Sequence, residues 1–129
     1  MSDMRPEGIK MEFNGQERRV LFTLNAVDAI QDRLGVPIGD AVDMLTDPRE
    51  ANTAYRVILT ALLNDEVERL DYRGTPHSLK AYTEKEVGWL VSETDKYRVL
   101  EAVLKAYGVS LPEPDGDDPP NRAGAWQKA

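Results

Sequence analysis

The chain contains no cysteine, which excludes disulfide bonds and thiolate metal sites. Basic residues are scarce relative to acidic ones: 16 Lys and Arg stand against 23 Asp and Glu, giving a formal net charge of −7. A phosphate backbone would meet general repulsion, so we expect no nucleic-acid partner. The longest apolar run, over residues 57–63, is far too short to span a bilayer, and the first residues lack the apolar region of a signal peptide. We therefore expect a cytosolic protein with no membrane partner.

The residues that are present fit one small domain and a tail. The chain has 129 residues, of which 41% are hydrophobic and 30% charged, as is typical of a soluble domain with one core. We assign this domain to residues 1–108. Residues 109–129 hold four of the eight prolines and the run PDGDDPPNRAG, with too few apolar side chains to offset chain entropy. This segment is predicted to be a disordered, flexible tail.

The segment IKMEFNGQERRVLFTL predicts a β-hairpin at the start of the domain. A two-residue loop at Asn14-Gly15 would place Glu12 opposite Glu17 and Met11 opposite Arg18, two unfavourable pairs. A four-residue loop instead gathers the apolar side chains on one face, and we predict that register. Its loop is Asn14 to Glu17, and it pairs Ile9 with Phe22, Met11 with Val20, and Glu12 with Arg19. Helices must cover the apolar face, while open strand edges favour homo-oligomers.

Helical periodicity and capping residues predict four to five helices after the hairpin. The first begins at the N-cap Asn25 and ends at Gly35, and a short helical segment over residues 38–45 follows. The longest runs roughly from Pro48 to Glu68 and should be the central helix, with Asp47 as its N-cap. Its predicted buried stripe consists of Ala51, Tyr55, Ile58 and Leu62, widened by Ala54, Leu59 and Leu63.

The rest of the domain is predicted to contain a loop over residues 70–82 and two further helices. Thr83 and Glu86 form a capping box, and Ser92-x-x-Asp95 offers a second one that predicts a break. The last helix should end at Gly108. Its predicted buried face consists of Tyr97, Leu100, Leu104 and Tyr107, with Val99 and Val103 beside it. The fold class is therefore α+β: an N-terminal β-hairpin followed by a mainly α-helical bundle of four to five helices and a disordered C-terminal tail.

No group of residues forms a catalytic, metal or cofactor motif. His77 has Ser78 and Asp71 near it in sequence, but neighbours within one loop rarely converge as a triad, so we predict a solvated loop histidine. The acidic residues at the end of the long helix are predicted to form a solvated face, with a divalent-cation site as the alternative. They are Asp65, Glu66, Glu68 and Asp71. The run from Asp115 resembles the start of a calcium loop but lacks the required glycine and glutamate at its later positions.

The remaining candidates are cationic and aromatic side chains. Arg18-Arg19 and Arg33 are predicted to pair with neighbouring carboxylates rather than to bind an anion. Aromatic residues at helical spacing are predicted to lie in the core or at its edge, with an exposed partner surface as the alternative. They are Tyr55, Trp89, Tyr97 and Tyr107. Trp126 lies in the tail and is either a recognition residue or the trace of a continued reading frame.

After the hairpin come NAVDAIQDRLG, the Ala/Leu-rich AYRVILTALLND, the threonine-capped YTEKEVGWLVSET and finally VLEAVLKAYGVSLPEP. Taken in order, these segments resemble the tail assembly chaperones of long-tailed bacteriophages (lambda-like tail chaperones). The resemblance covers residues 9–112, about four fifths of the chain, and rests mainly on the order of elements. The threonine-capped segment is the most telling part.

The resemblance implies a non-enzymatic protein with neither catalytic residues nor cofactors. Members of that family bind the helical, aggregation-prone tape measure protein and help tail tube protein polymerise around it. They act in the host cytoplasm and are absent from the mature virion. Many also exist as a longer product made by ribosomal frameshifting.

The margins of the predicted helical core are the expected partner-binding surface. The residues selected there are Leu59, Leu63, Trp89 and Val103. The alternative functions are a structural head–tail connector or tail terminator component, an unrelated protein-binding adaptor or antitoxin-like module, and a small hydrolase that uses His77.

Overall fold

A computed structural model describes residues 8–110. The strands, which form one antiparallel sheet, are β1 (Ile9–Phe13) and β2 (Gln16–Val20). The helices are α1 (Leu24–Leu34), α2 (Ile38–Asp43), α3 (Ala51–Arg73), α4 (Glu84–Ser92) and α5 (Lys96–Ser110), with a 3₁₀ turn at Met44–Thr46. The predicted α+β fold class, a hairpin followed by a helical bundle, is confirmed. Among the described residues, no helix combines the length and apolar character needed to cross a membrane.

The hairpin turns through a two-residue loop, Asn14-Gly15, so the predicted four-residue loop is wrong. Both loop residues have positive φ, 53° and 76°, as a type I′ turn requires. The like charges of Glu12 and Glu17 are tolerated because both side chains are exposed, and Lys10 and Arg19 approach Glu17 within 3.8 and 3.4 Å. The observed pairs are Ile9 with Val20, Lys10 with Arg19, Met11 with Arg18, Glu12 with Glu17, and Phe13 with Gln16.

Arg18 points into the interior, where its charge is paired, so its position opposite Met11 is not unfavourable. Its side chain is fully buried; Nε donates to Glu66 Oε1 at 2.7 Å, and Nη2 donates to the Leu63 carbonyl at 3.0 Å. The guanidinium also lies 6.0 Å from the centroid of the Tyr82 ring. A buried charge is tolerated only when it is paired. Glu66 on α3 therefore allows a cation to occupy the core face of the hairpin, and the predicted pairing of Arg18 with a carboxylate is confirmed.

The acidic residues near the end of α3 do not form one solvated face, so that prediction is wrong for half of them. Asp65 and Glu66 are buried, with exposed fractions of 7% and 4%. Asp65 accepts a hydrogen bond from Arg69 at 2.9 Å, while Glu68 and Asp71 remain exposed. The cation that neutralises Glu66 comes from β2, so local sequence could not reveal it.

The first helix is capped two residues earlier than predicted. Thr23, not Asn25, is the N-cap: its Oγ1 accepts from the backbone N–H of Ala26 at 3.1 Å and donates to Asp65 at 2.9 Å. A hydroxyl can do both at once, which links this helix end to α3. The predicted C-terminal end at Gly35 is confirmed, with φ of 73° in the left-handed region.

The long helix α3 is shifted toward the C-terminus relative to the prediction. Asp47 Oδ1 accepts from the Arg49 N–H at 2.9 Å, which stabilises a turn and delays the helix to Ala51. At the other end the helix continues through the first residues of the predicted loop and stops at Gly74, whose φ is 72°. Its N–H is bonded to the Asp71 carbonyl at 3.1 Å. The left-handed glycine, rather than the end of the apolar pattern, sets this boundary.

The last two helices follow the predicted caps. The Thr83–Glu86 capping box is confirmed, with both reciprocal hydrogen bonds present. The predicted break is also confirmed, but Asp95 rather than Ser92 caps α5: its Oδ1 accepts the N–H groups of Tyr97 and Arg98 at 3.1 and 3.2 Å. Helix α5 continues past the predicted end at residue 108 to residue 110. The rest of the predicted tail, including Trp126 and the run from residue 115, lies outside the described residues.

The core forms around α3, as predicted for the central helix. The hairpin and helices α1 and α4 pack against α3, while α5 packs mainly against β1. Because α3 contributes buried residues around much of its circumference, it presents no clean polar face along its middle. Its buried apolar residues are Ala54, Val57, Ile58, Leu59, Leu62 and Leu63.

Candidate protein-binding surface

A groove of about 850 Å³ runs between β1 and α5. Lys10 and Glu12 line it on the strand side, and Arg98, Ala102 and Lys105 line it on the helix side. Five acidic and three basic side chains surround it, together with apolar side chains of β1, α4 and α5. The groove is therefore a mixed, largely charged surface rather than an apolar ligand cavity.

The outer face of α5 carries a second, apolar surface, which we call the α5 stripe: Tyr97, Leu100 and Leu104. Tyr97 is 76% exposed and Leu104 is 42% exposed, with Leu100 half-buried between them. Glu101 and Lys105 border both the stripe and the groove. The two surfaces are thus adjacent on one helix, with the charged residues between them.

The prediction that Tyr97, Leu100 and Leu104 form the buried face of the last helix is wrong. The buried face is instead Val99, Ala102, Val103 and Ala106. These smaller side chains let the helix backbone come close to the hairpin, and the larger residues are left outside. Of the predicted face only Tyr107 packs inward, with its ring 5.5 Å from that of Phe22 in an edge-to-face arrangement. The two alanines are the signal that sequence reasoning missed.

The start of the α5 stripe is held in place by α3. The Tyr55 hydroxyl donates to the Lys96 carbonyl at 2.5 Å, immediately before Tyr97. Burial raises the pKa of Tyr55 well above its ordinary value, and the Asp95 carboxylate adds to the shift. Tyr55 therefore remains protonated, and available as a donor, at neutral pH. A neutral donor and the Asp95 cap together fix the N-terminal turn of α5.

The predicted partner-binding residues are dispersed, and most are inaccessible. Leu59 and Leu63 have no exposed surface and Val103 is 3% exposed, so these three belong to the core, not to its margin. The prediction failed because α3 is buried more completely than an amphipathic helix would be. Trp89 on α4 is 63% exposed, which contradicts its prediction as a core-edge aromatic and leaves it accessible to a partner. It lines neither the groove nor the α5 stripe.

The predicted solvated histidine is instead a fixed part of the loop after α3. His77 Nε2 lies 2.7 Å from Asp71 Oδ1, and Nδ1 accepts the backbone N–H of Leu79 at 3.0 Å. Ser78 Oγ has a different partner, accepting from Gln16 at 3.5 Å. The histidine ring thus holds the loop against the end of α3. Both ring nitrogens are occupied by structural contacts, and the serine is not joined to the histidine.

Within residues 8–110, no group of three or more His, Asp or Glu side chains is arranged to hold a metal ion. The paired carboxylates of α3 are engaged by Arg18 and Arg69. The exposed Arg33 forms a two-point pair with Glu84 at 3.0 Å, which confirms its predicted carboxylate partner. Comparisons of the chain with protein-family models, with curated proteins and with solved structures give no significant match.

Proposed function

We propose that this chain is a bacteriophage tail assembly chaperone that binds an amphipathic helix of the tape measure protein and promotes tail tube assembly without enzymatic activity. The observation that carries the proposal is the α5 stripe. The order of elements resembling that family supplies the identity of the client. The stripe supplies the mode of binding.

The α5 stripe has the spacing that recognition of a helix requires. Tyr97, Leu100 and Leu104 recur at intervals of three and four residues, so they line one side of the helix over two turns. That run is about 10 Å long and matches one heptad of an amphipathic partner helix. Exposed apolar side chains grouped in this way mark interaction surfaces on soluble proteins.

The charges around the stripe fit a role in keeping an aggregation-prone client in solution. Glu101 and Lys105 provide a polar rim beside the apolar contact. The net charge of −7 over 129 residues gives the complex a repulsive exterior that opposes association between complexes. The chain thus combines an apolar contact surface with a net negative charge.

The test is co-expression of this chain with the tape measure protein that this proposal expects in the neighbouring reading frame. The client should be insoluble alone and soluble with the chaperone. The double substitution Tyr97→Gln and Leu104→Gln removes two apolar contacts, each worth about 1–2 kcal/mol in an interface, and should lower recovery of the soluble complex about tenfold or more. The variant should retain the circular dichroism spectrum and unfolding midpoint of the wild type.

A matched control separates a specific surface from general exposed apolar area. Leu24 and Tyr72 are 88% and 93% exposed and border neither the stripe nor the groove. The double substitution Leu24→Gln and Tyr72→Gln should leave client recovery unchanged. Equal loss in both double variants, or a client that is soluble without this chain, would refute the proposal. Recovery of the chain in purified virions would instead favour the head–tail connector or tail terminator alternative.

A further inference from the structure

The two edges of the hairpin are treated differently by the rest of the fold. On β2, Glu66 accepts the Arg19 backbone N–H at 3.0 Å, and Arg69 Nη2 donates to the Arg19 carbonyl at 3.4 Å. These contacts occupy both outward backbone groups of Arg19, one of the two β2 residues whose backbone faces away from β1. The backbone of Lys10 and Glu12 on β1 has no such contact from any described residue. These backbone groups point away from β2. The pair that flanks a two-residue turn, Phe13 and Gln16, exchanges hydrogen bonds within the hairpin, and such pairs alternate along the strands. The backbone groups of Lys10 and Glu12 therefore face outward.

We propose that the free edge of β1 pairs with β1 of a second copy of this chain, antiparallel and in a register centred on Met11. In that register Lys10 lies opposite Glu12 of the other copy, and the two-fold axis creates the same pair twice. The outward backbone groups of both residues then hydrogen-bond across the new edge. The result is a four-stranded antiparallel sheet shared by two copies.

Charge complementarity selects this register. Opposite charges directly across an antiparallel pair are favourable, whereas a shift that faced Lys10 with Lys10, or Glu12 with Glu12, would set like charges together. In the single chain Lys10 has only an exposed contact with Glu17 at 3.8 Å, and Glu12 has no ion-pair partner among the described residues. Both side chains are exposed and free to make the new pairs.

The groove beside β1 provides the space for an added strand, and its composition favours a copy of β1 over a foreign peptide. Strand addition by an unrelated peptide gains specificity from pockets that match its alternate side chains. Here charged side chains surround the groove, and the strand IKMEF itself carries a matching basic and acidic residue two positions apart. The surface is therefore complementary to itself.

Charge reversal tests the proposal by sedimentation equilibrium of the full-length protein over a wide concentration range. The wild type should associate to twice its 14.5 kDa monomer mass. Lys10→Glu and Glu12→Lys should each weaken association about tenfold or more, because each places two like-charged pairs in the interface. The double variant Lys10→Glu and Glu12→Lys should restore association to within about threefold of wild type, because the pairs are re-formed with exchanged signs.

The single variant Glu12→Lys separates the interface from effects within one chain. Inside a monomer, lysine at position 12 would lie directly opposite Glu17 and replace a like-charged pair with an opposite one, so the hairpin itself should be stabilised while association weakens. Lys85→Glu, an exposed reversal on α4 outside the groove, is the matched control and should leave association unchanged. A monomeric wild type at every concentration, or a double variant as impaired as the single ones, would overturn the proposal. A client segment that binds the β1 edge of a monomer would do the same.

Cysteine substitution tests the register, since the native chain has no cysteine. Met11→Cys places the new side chain opposite its own copy in a pair whose Cα atoms are about 4.5 Å apart, within the range for a disulfide. Glu12→Cys places the two copies of residue 12 diagonally, at about 7–8 Å, beyond easy bridging. Oxidation should therefore cross-link the first variant and not the second. The opposite pattern would show a different register and contradict the proposal.

Discussion

Replacing Glu66 with alanine should lower the free energy of unfolding by about 3–5 kcal/mol. The Arg18 side chain is fully buried, and after the substitution its guanidinium would keep only the Leu63 carbonyl as a close acceptor. Nη1 of Arg18 already lacks a hydrogen-bond partner among the described residues, so little capacity for compensation remains. A domain of this size has a total stability of about 5–15 kcal/mol, so the loss would be a large share of it.

Urea denaturation followed by far-UV circular dichroism measures this loss, and the thermal midpoint should fall by roughly 10–20 °C. The matched control replaces both partners, Arg18→Met together with Glu66→Met. It removes the buried charge along with its counter-ion and should lie within about 2 kcal/mol of wild type. A double variant as unstable as Glu66→Ala, or a single variant that loses less than about 1 kcal/mol, would refute the argument that an unpaired buried charge is the cause.

Three further predictions test other parts of the fold. Gly8→Ala should destabilise the domain more than Gly74→Ala does, as measured by thermal unfolding. Both glycines have positive φ, but only at Gly8 would a Cβ lie 2.5 Å from a backbone oxygen. Tyr55→Phe should cost about 1 kcal/mol near neutral pH through loss of the bond to α5. Because its folded pKa is raised above the unfolded value, wild-type stability falls as pH rises past about 10, and the gap between wild type and variant in urea midpoints should narrow there. His77→Ala should lower stability by about 0.5–1.5 kcal/mol through two lost hydrogen bonds and leave client recovery unchanged; failed recovery by a folded variant would contradict its structural role.

Features encoded within a few residues could be predicted from the sequence. The Gly35 helix end and the Thr83–Glu86 capping box each depend on contacts between near neighbours in the chain. Both features can be predicted without knowledge of the tertiary fold. The Asn14-Gly15 turn belongs to the same class, and its local signal was correct. Cross-strand pairing alone disfavours it, because the buried partner of Arg18 lies 48 residues along the chain.

Features that depend on which surfaces meet could not be predicted. Helix α5 has apolar residues on two sides, and periodicity alone favours the side with the larger ones. Contact with the hairpin selects the smaller side, with Ala102 and Ala106, and thereby exposes the α5 stripe. The same contact buries Val103, and the packing of several elements around α3 buries Leu59 and Leu63, so three of the predicted partner-binding residues are core positions. Only Trp89, of the four predicted, lies on the surface.

The partly occupied outer edge of β2 limits the size of any assembly built by strand addition. Sheets with two exposed edges can add copies indefinitely and grow into fibres. Here Glu66 and Arg69 occupy the backbone groups of Arg19, so within the described hairpin only β1 offers a full edge. A symmetric pairing that uses that edge in both copies leaves none for a third. Glu66, whose buried carboxylate pairs with Arg18, thus also occupies the Arg19 N–H that a further strand would need.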